Sequence, residues 1–247
     1  MPKMKTFATG VMRTTAPLLE LVLGLVLVAC RPSFADEPSG EFGHDMMARF
    51  HMHENYALYA AVERLLVRGK LADARDMAHL IGLAPDEEGL SAWADRAALV
   101  RVRASELSGA PSIDEGCRRA AKLAEACARC HVASNAVPEF RNPPALPPDR
   151  PTVESRMARH MWAVERIREG VIGGIDEPWR AGLDVLASAP LPSGTDKDRA
   201  ALAHRIRELG EPPRPRGRAH TIEDRARMYG EILVTCAACH MAMEQRP

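Results

Sequence analysis

Two stretches of twenty residues share one pattern: Ser112–His131, which reads SIDEGCRRAAKLAEACARCH, and Thr221–His240, which reads TIEDRARMYGEILVTCAACH. Each begins with a hydroxyl residue that can cap a helix, and an acidic residue follows three positions later. In both stretches the cap precedes the first of two paired cysteines by fifteen residues. The pattern predicts two equivalent helices of about four turns before the cysteines, each closing its part of the chain.

Both stretches end in the motif C-x-x-C-H. Its residues are Cys127, Cys130 and His131 in the first stretch, and Cys236, Cys239 and His240 in the second. Two thiols on one helical turn can each add to a vinyl group of one haem, and the adjacent histidine can bind the iron as proximal ligand. We therefore predict two covalently attached c-type haems and no catalytic side chain.

Paired cysteines also occur in redox dithiols and in zinc sites. A redox dithiol of this type needs a βαβ context, which the sequence does not offer, and zinc needs two further ligands near each pair. The remaining Cys117 lies fourteen residues before His131. We expect it to be a buried small hydrophobic residue.

The segments upstream of the two motifs also correspond. Residues 52–56 and 65–69 parallel 157–161 and 170–174 with an offset of 105, whereas the motifs are offset by 109. This internal repeat predicts an all-α fold of two tandem four-helix bundles, each with a C-terminal haem helix. The predicted segments are a first haem-binding bundle at 43–135, a Pro-rich linker at 136–151 and a second haem-binding bundle at 152–245. The predicted helices are 43–68, 70–83, 88–107 and 112–133, then 152–172, 176–188, 195–209 and 221–243.

The first helix of each bundle should supply the distal side of the haem, because first and last helices are neighbours in an up-down-up-down bundle. In the second copy, His160 lies on the apolar face of its helix, with Met157 one turn earlier. In the first copy, Met52 lies on the equivalent stripe between His51 and His53. Met52 and His160 are the main distal candidates, and the other three are weaker ones.

Residues 1–35 are predicted to be an export signal, with a basic leader and an apolar run at 16–29. Two cleavage sites compete. Leu27–Cys30 resembles a lipobox that would leave Cys30 lipidated, and Ser33–Ala35 suits ordinary signal peptidase. An uncleaved anchor is the third alternative. The prediction is a periplasmic protein, either soluble or attached to a membrane only through Cys30.

The formal net charge of the 247 residues is zero, which does not indicate a nucleic-acid partner. A four-helix bundle that closes on C-x-x-C-H resembles the cytochrome c′ and cytochrome c-556 group, here as a tandem di-haem arrangement over residues 43–245. The resemblance implies a distal methionine in electron carriers and an apolar distal residue in five-coordinate gas binders. His160 departs from that pattern, so the resemblance leaves the coordination of both irons open.

The leading functional expectation is a one-electron carrier that exchanges electrons with redox partner proteins in the periplasm, and not an enzyme. The main alternative is a five-coordinate protein that binds nitric oxide or carbon monoxide. A di-haem peroxidase is a weaker alternative, since we find no clear place for a catalytic distal base.

Overall fold

The computed structural model describes residues 40–83, 94–136, 138–140, 144–189, 197–211 and 220–244. Over these residues the chain forms eight α-helices and no strand, which confirms the all-α prediction. The helices are α1 (Gly40–Val67), α2 (Leu71–Gly82), α3 (Ala94–Ser108), α4 (Ile113–Ser134), α5 (Val153–Ile172), α6 (Asp176–Ala187), α7 (Lys197–Gly210) and α8 (Ile222–Glu244). The predicted signal at 1–35, with Cys30, and residues 88–93 of the third predicted helix lie outside the described residues.

Both predicted helix caps are present. The hydroxyl of Ser112 accepts the backbone N–H of Glu115 at 3.2 Å, directly before α4. The hydroxyl of Thr221 accepts the backbone N–H of Asp224 at 3.1 Å, and the Asp224 carboxylate accepts the Thr221 backbone N–H at 3.4 Å. These bonds satisfy N–H groups that a helix leaves without partners, so they fix where α4 and α8 begin.

The described residues from Gly43 onward form one compact unit with a continuous core. Helix α2 packs on α3 and α3 on α4, while α6 packs on α5 and on α7, and α7 packs on α8. The two helices that close the copies, α4 and α8, pack on each other. The two copies therefore share their core through their last helices.

Helices α4 and α8 run antiparallel. Arg118 Nε lies 3.2 Å from Glu231 Oε1, while Arg129, further along α4, pairs with Glu223 near the start of α8. Between these pairs, a Cβ atom built on Gly230 would lie 3.3 Å from the Cβ of Ala121, which is its equivalent in the repeat. A residue that meets its own equivalent marks a two-fold axis.

A buried polar network lies on the same axis between α1 and α5. Arg168 Nη1 donates to Glu63 Oε1 at 2.7 Å, and these two residues are separated by the repeat offset of 105. The Tyr229 hydroxyl donates to the other oxygen of Glu63, and Arg168 Nε donates to the Tyr56 hydroxyl at 3.2 Å. Burial raises the pKa of Glu63, and Arg168 opposes that rise. The copies are thus joined as the subunits of an isologous dimer are, but within one chain.

None of the helices in the described ranges is long and apolar enough to cross a membrane.

Candidate haem sites

The first motif lies on the last turns of α4. Cys127 and Cys130 carry free thiols, and both side chains are half-buried. Burial raises the pKa of Cys127 to about 12. Burial also raises the pKa of Cys130, although Arg96 lowers it. Both thiols are therefore protonated at neutral pH in this fold.

His131 is held in one defined tautomer. Its Nδ1 atom lies 2.8 Å from the backbone oxygen of Ile172. A carbonyl oxygen only accepts, so Nδ1 carries the proton and Nε2 carries the lone pair. Burial lowers the pKa of His131, which keeps the ring neutral at pH 7 despite the opposing effect of the bond to Ile172. A neutral imidazole whose second nitrogen is anchored to a carbonyl is the state in which histidine binds a metal.

The anchor of His131 belongs to the second copy, because Ile172 is the last residue of α5. The chain turns away there at Gly174, which has a φ of +67°. A Cβ atom on Gly174 would lie 2.8 Å from Cγ2 of Val132, the residue after His131. The end of the first motif is therefore packed tightly against the end of α5.

The second motif lies on the last turns of α8. Burial raises the pKa of Cys236 to about 12. Burial lowers the pKa of His160, and His240 lowers it further through charge repulsion, so the structure brings His160 close to the second motif. Met157 is half-buried on the same helix.

The linker supports the helix that carries these distal candidates. Trp162 Nε1 donates to the Pro144 carbonyl at 2.8 Å, and Arg159 Nη1 donates to the Pro147 carbonyl at 2.7 Å. These two side chains flank His160 in sequence, so the linker runs along the same part of α5.

In the first copy, α1 brings its distal candidates to the end of α4 that carries the motif. The Tyr59 hydroxyl donates to the Ala120 carbonyl at 2.9 Å. A Cβ atom on Gly116 would lie 2.8 Å from Leu66 Cδ2, so α1 and α4 run antiparallel. At about 1.5 Å per residue, Met52 and Cys127 each lie about 10 Å from the hydroxyl bond along their helices, towards the same end of this pair. Met52 is 39% exposed.

The other two candidates of the first copy lie beside Met52 on α1. His51 is half-buried, with Nδ1 3.5 Å from a carboxylate oxygen of Glu54. His53 is exposed. Which of the three side chains binds iron stays a prediction.

Of three further features of the structure, the sequence predicted only the burial of Cys117. Cys117 is fully buried, as predicted. Burial raises the pKa of its thiol to about 12, and charge repulsion from Cys236 contributes less to the same rise. The pair of Glu63 and Arg168 was missed, although opposite charges at equivalent repeat positions on apolar stripes were a usable signal. The contact from His131 to Ile172 was also missed, because a backbone carbonyl leaves no trace in the side-chain pattern.

Within the described ranges, no three side chains of His, Cys, Asp or Glu are grouped so that they could hold a metal ion by themselves. Comparison of the chain with protein-family models, with curated proteins and with solved structures gave no match. The resemblance to the cytochrome c′ group therefore stays a prediction based on the two motifs.

Proposed function

We propose that this chain is a periplasmic di-haem c-type cytochrome that transfers single electrons. The observation that carries the proposal is the state of His131: its Nδ1–H is bound to the Ile172 carbonyl, and its Nε2 has a lone pair for iron. The histidine stands directly after two thiols on one helical turn. Cys127 and Cys130 would hold the first haem, and Cys236, Cys239 and His240 the second.

The surroundings of the first motif also suit a large apolar cofactor. Phe50 is 55% exposed and Val132 is 57% exposed, and both belong to the same end of the bundle as Met52. A haem attached at Cys127 would remove them from water, and it would supply the one-electron chemistry.

The arrangement of the motifs supports two separate electron-exchange sites. Helices α4 and α8 cross near Ala121 and Gly230. Each motif lies about 12 Å beyond that crossing, in opposite directions, so the motifs are roughly 24 Å apart along the helix pair. Redox partner proteins in the periplasm could then approach either end of the molecule.

One observation favours a second candidate function. The first copy has Asn55 at the position equivalent to His160, so it lacks the distal histidine that the second copy offers. If no side chain binds the sixth position, the first iron is five-coordinate and open to nitric oxide or carbon monoxide. Cys127, Cys130 and His131 would hold the first haem in the same way in either function.

Mass spectrometry of the mature full-length protein tests the proposal. We expect two covalent haems, which add about 1.2 kDa in total. Cys127→Ala with Cys130→Ala should lose one haem, and the control Cys117→Ala should lose none. Free thiols at Cys127, Cys130, Cys236 and Cys239, or bound zinc, in the wild-type protein would contradict the proposal. Optical spectra of the reduced protein with and without carbon monoxide then separate the carrier from the gas binder.

A further inference from the structure

The two motif helices make reciprocal contacts with the opposite copy. A Cβ atom on Gly174 would lie 2.8 Å from Val132 Cγ2, and one on Gly69 would lie 3.0 Å from Met241 Cγ. Gly69 and Gly174 are equivalent in the repeat, as are Val132 and Met241. Each glycine thus meets the residue that follows the motif of the other copy, and such reciprocal contacts are those of a two-fold symmetric interface. The end of α4 thus lies against the end of α5, and the end of α8 lies against the end of α1.

Helices α1 and α5 end in the same way. The Lys70 backbone N–H donates to the Leu65 carbonyl at 2.9 Å, and the equivalent Ile175 N–H donates to the Gly170 carbonyl at 3.1 Å. Gly69 has a φ of +70°, close to the +67° of Gly174. The last helical residues are Val67 in α1 and Ile172 in α5, again separated by 105 positions.

The last carbonyls of a helix have no partner within the helix and form the negative end of its dipole. In α5, the Ile172 carbonyl accepts the Nδ1–H of His131. A donor bond to such a group increases the electron density on the imidazole, which makes Nε2 a stronger ligand. A stronger nitrogen ligand favours oxidised iron and lowers the reduction potential.

We propose that each proximal histidine is positioned by the C-terminus of the first helix of the other copy: His131 by Ile172, and His240 by Val67. The inference rests on the proposed function, since it concerns the same two sites. It makes the haem sites mutually dependent, because each copy supplies the carbonyl that orients the iron ligand of the other. A substitution in the second copy should therefore alter the first haem.

Two matched substitutions in the full-length holoprotein test this arrangement. Gly174→Ala places a methyl group against Val132 and should displace the Ile172 carbonyl from His131. Gly69→Ala places a methyl group against Met241 and should displace the Val67 carbonyl from His240. Electron paramagnetic resonance and a redox titration follow both haems, which are assigned beforehand with His131→Met and His240→Met.

We expect Gly174→Ala to change the electron paramagnetic resonance signal of the first haem only and to raise its reduction potential. Gly69→Ala should have the same two effects on the second haem only. A tenfold change in the ratio of reduced to oxidised haem corresponds to about 59 mV. Adding Val132→Ala to Gly174→Ala removes the contact with Cγ2 but not the strain of alanine at positive φ, so it should restore the first haem in part. If Gly174→Ala does not accumulate, Gly174→Asn takes its place, because asparagine tolerates positive φ.

The opposite pattern would overturn the inference. It fails if Gly174→Ala alters the second haem or neither haem, or if Val132→Ala restores nothing, since general strain would then explain the change. Failure of the proposed function is a separate result. It would appear in the wild-type protein as the absence of two covalent haems, before any glycine variant is made.

Discussion

Replacing Arg168 with leucine tests how the two copies are held together. Arg168 Nη1 lies 2.7 Å from Glu63 Oε1, and the two side chains are only 5% and 6% exposed. Removing the arginine would leave the buried Glu63 carboxylate without its cation. Such a loss costs about 3–5 kcal/mol of the free energy of unfolding.

The double replacement Glu63→Leu with Arg168→Leu should behave differently. It removes both charges from the core, and the free energy of unfolding should stay near the wild-type value or rise by about 1–4 kcal/mol. The cost of Arg168→Leu alone should also shrink in acid. Burial raises the folded-state pKa of Glu63 above 4.5, so the native state binds the proton more tightly than the unfolded state and gains stability as the pH falls.

Urea unfolding followed by far-ultraviolet circular dichroism, at pH 5 and pH 7.5, measures these differences. Arg103→Leu is the matched control, because Arg103 Nη1 also lies 2.7 Å from a glutamate oxygen, in Glu106, but the two side chains are 36% and 44% exposed. That pair should be worth less than about 1 kcal/mol. The reasoning is refuted if Arg168→Leu costs no more than Arg103→Leu, or if the double variant is as unstable as the single one.

Three further outcomes are expected. His160→Ala should make the second haem high-spin and able to bind carbon monoxide, unless the methionine one turn away takes its place; unchanged spectra in both redox states would mean that His160 only packs. Burial raises the pKa of Glu169 to about 7, so thermal stability should decline as the pH rises from about 4.5 to 7, and Glu169→Gln should abolish that decline. Gly170→Ala would place a methyl group 2.5 Å from Trp179, and calorimetry should show a loss of about 1–3 kcal/mol. Its control Gly109→Ala meets nothing closer than 3.6 Å and should change stability by less than about 0.5 kcal/mol.

The boundaries of the helices were predictable because their signals are local. Ser112 and Thr221 cap helices that begin at the next residue, as the spacing of their acidic partners indicated. The predicted end of the first helix at 68 and of the fifth at 172 agree with Val67 and Ile172 within one residue. Only contacts within a few residues are needed to set such ends, so the sequence carries the information directly.

Local patterns in the sequence were enough to predict the all-helical class, the repeat and the six residues of the two C-x-x-C-H motifs. The fold was needed to learn that α4 and α8 pack antiparallel, that Glu63 meets Arg168, and that His131 donates to the Ile172 carbonyl. Those partners are separated by 41 residues in the case of His131 and by 105 in the case of Glu63. Helix periodicity gives the face on which a residue lies, but not which distant face it meets. Which distant face a helix contacts depends on how the apolar stripes of both copies pack into one core. A backbone carbonyl at the end of a helix becomes a hydrogen-bond partner only where this packing places it beside a donor.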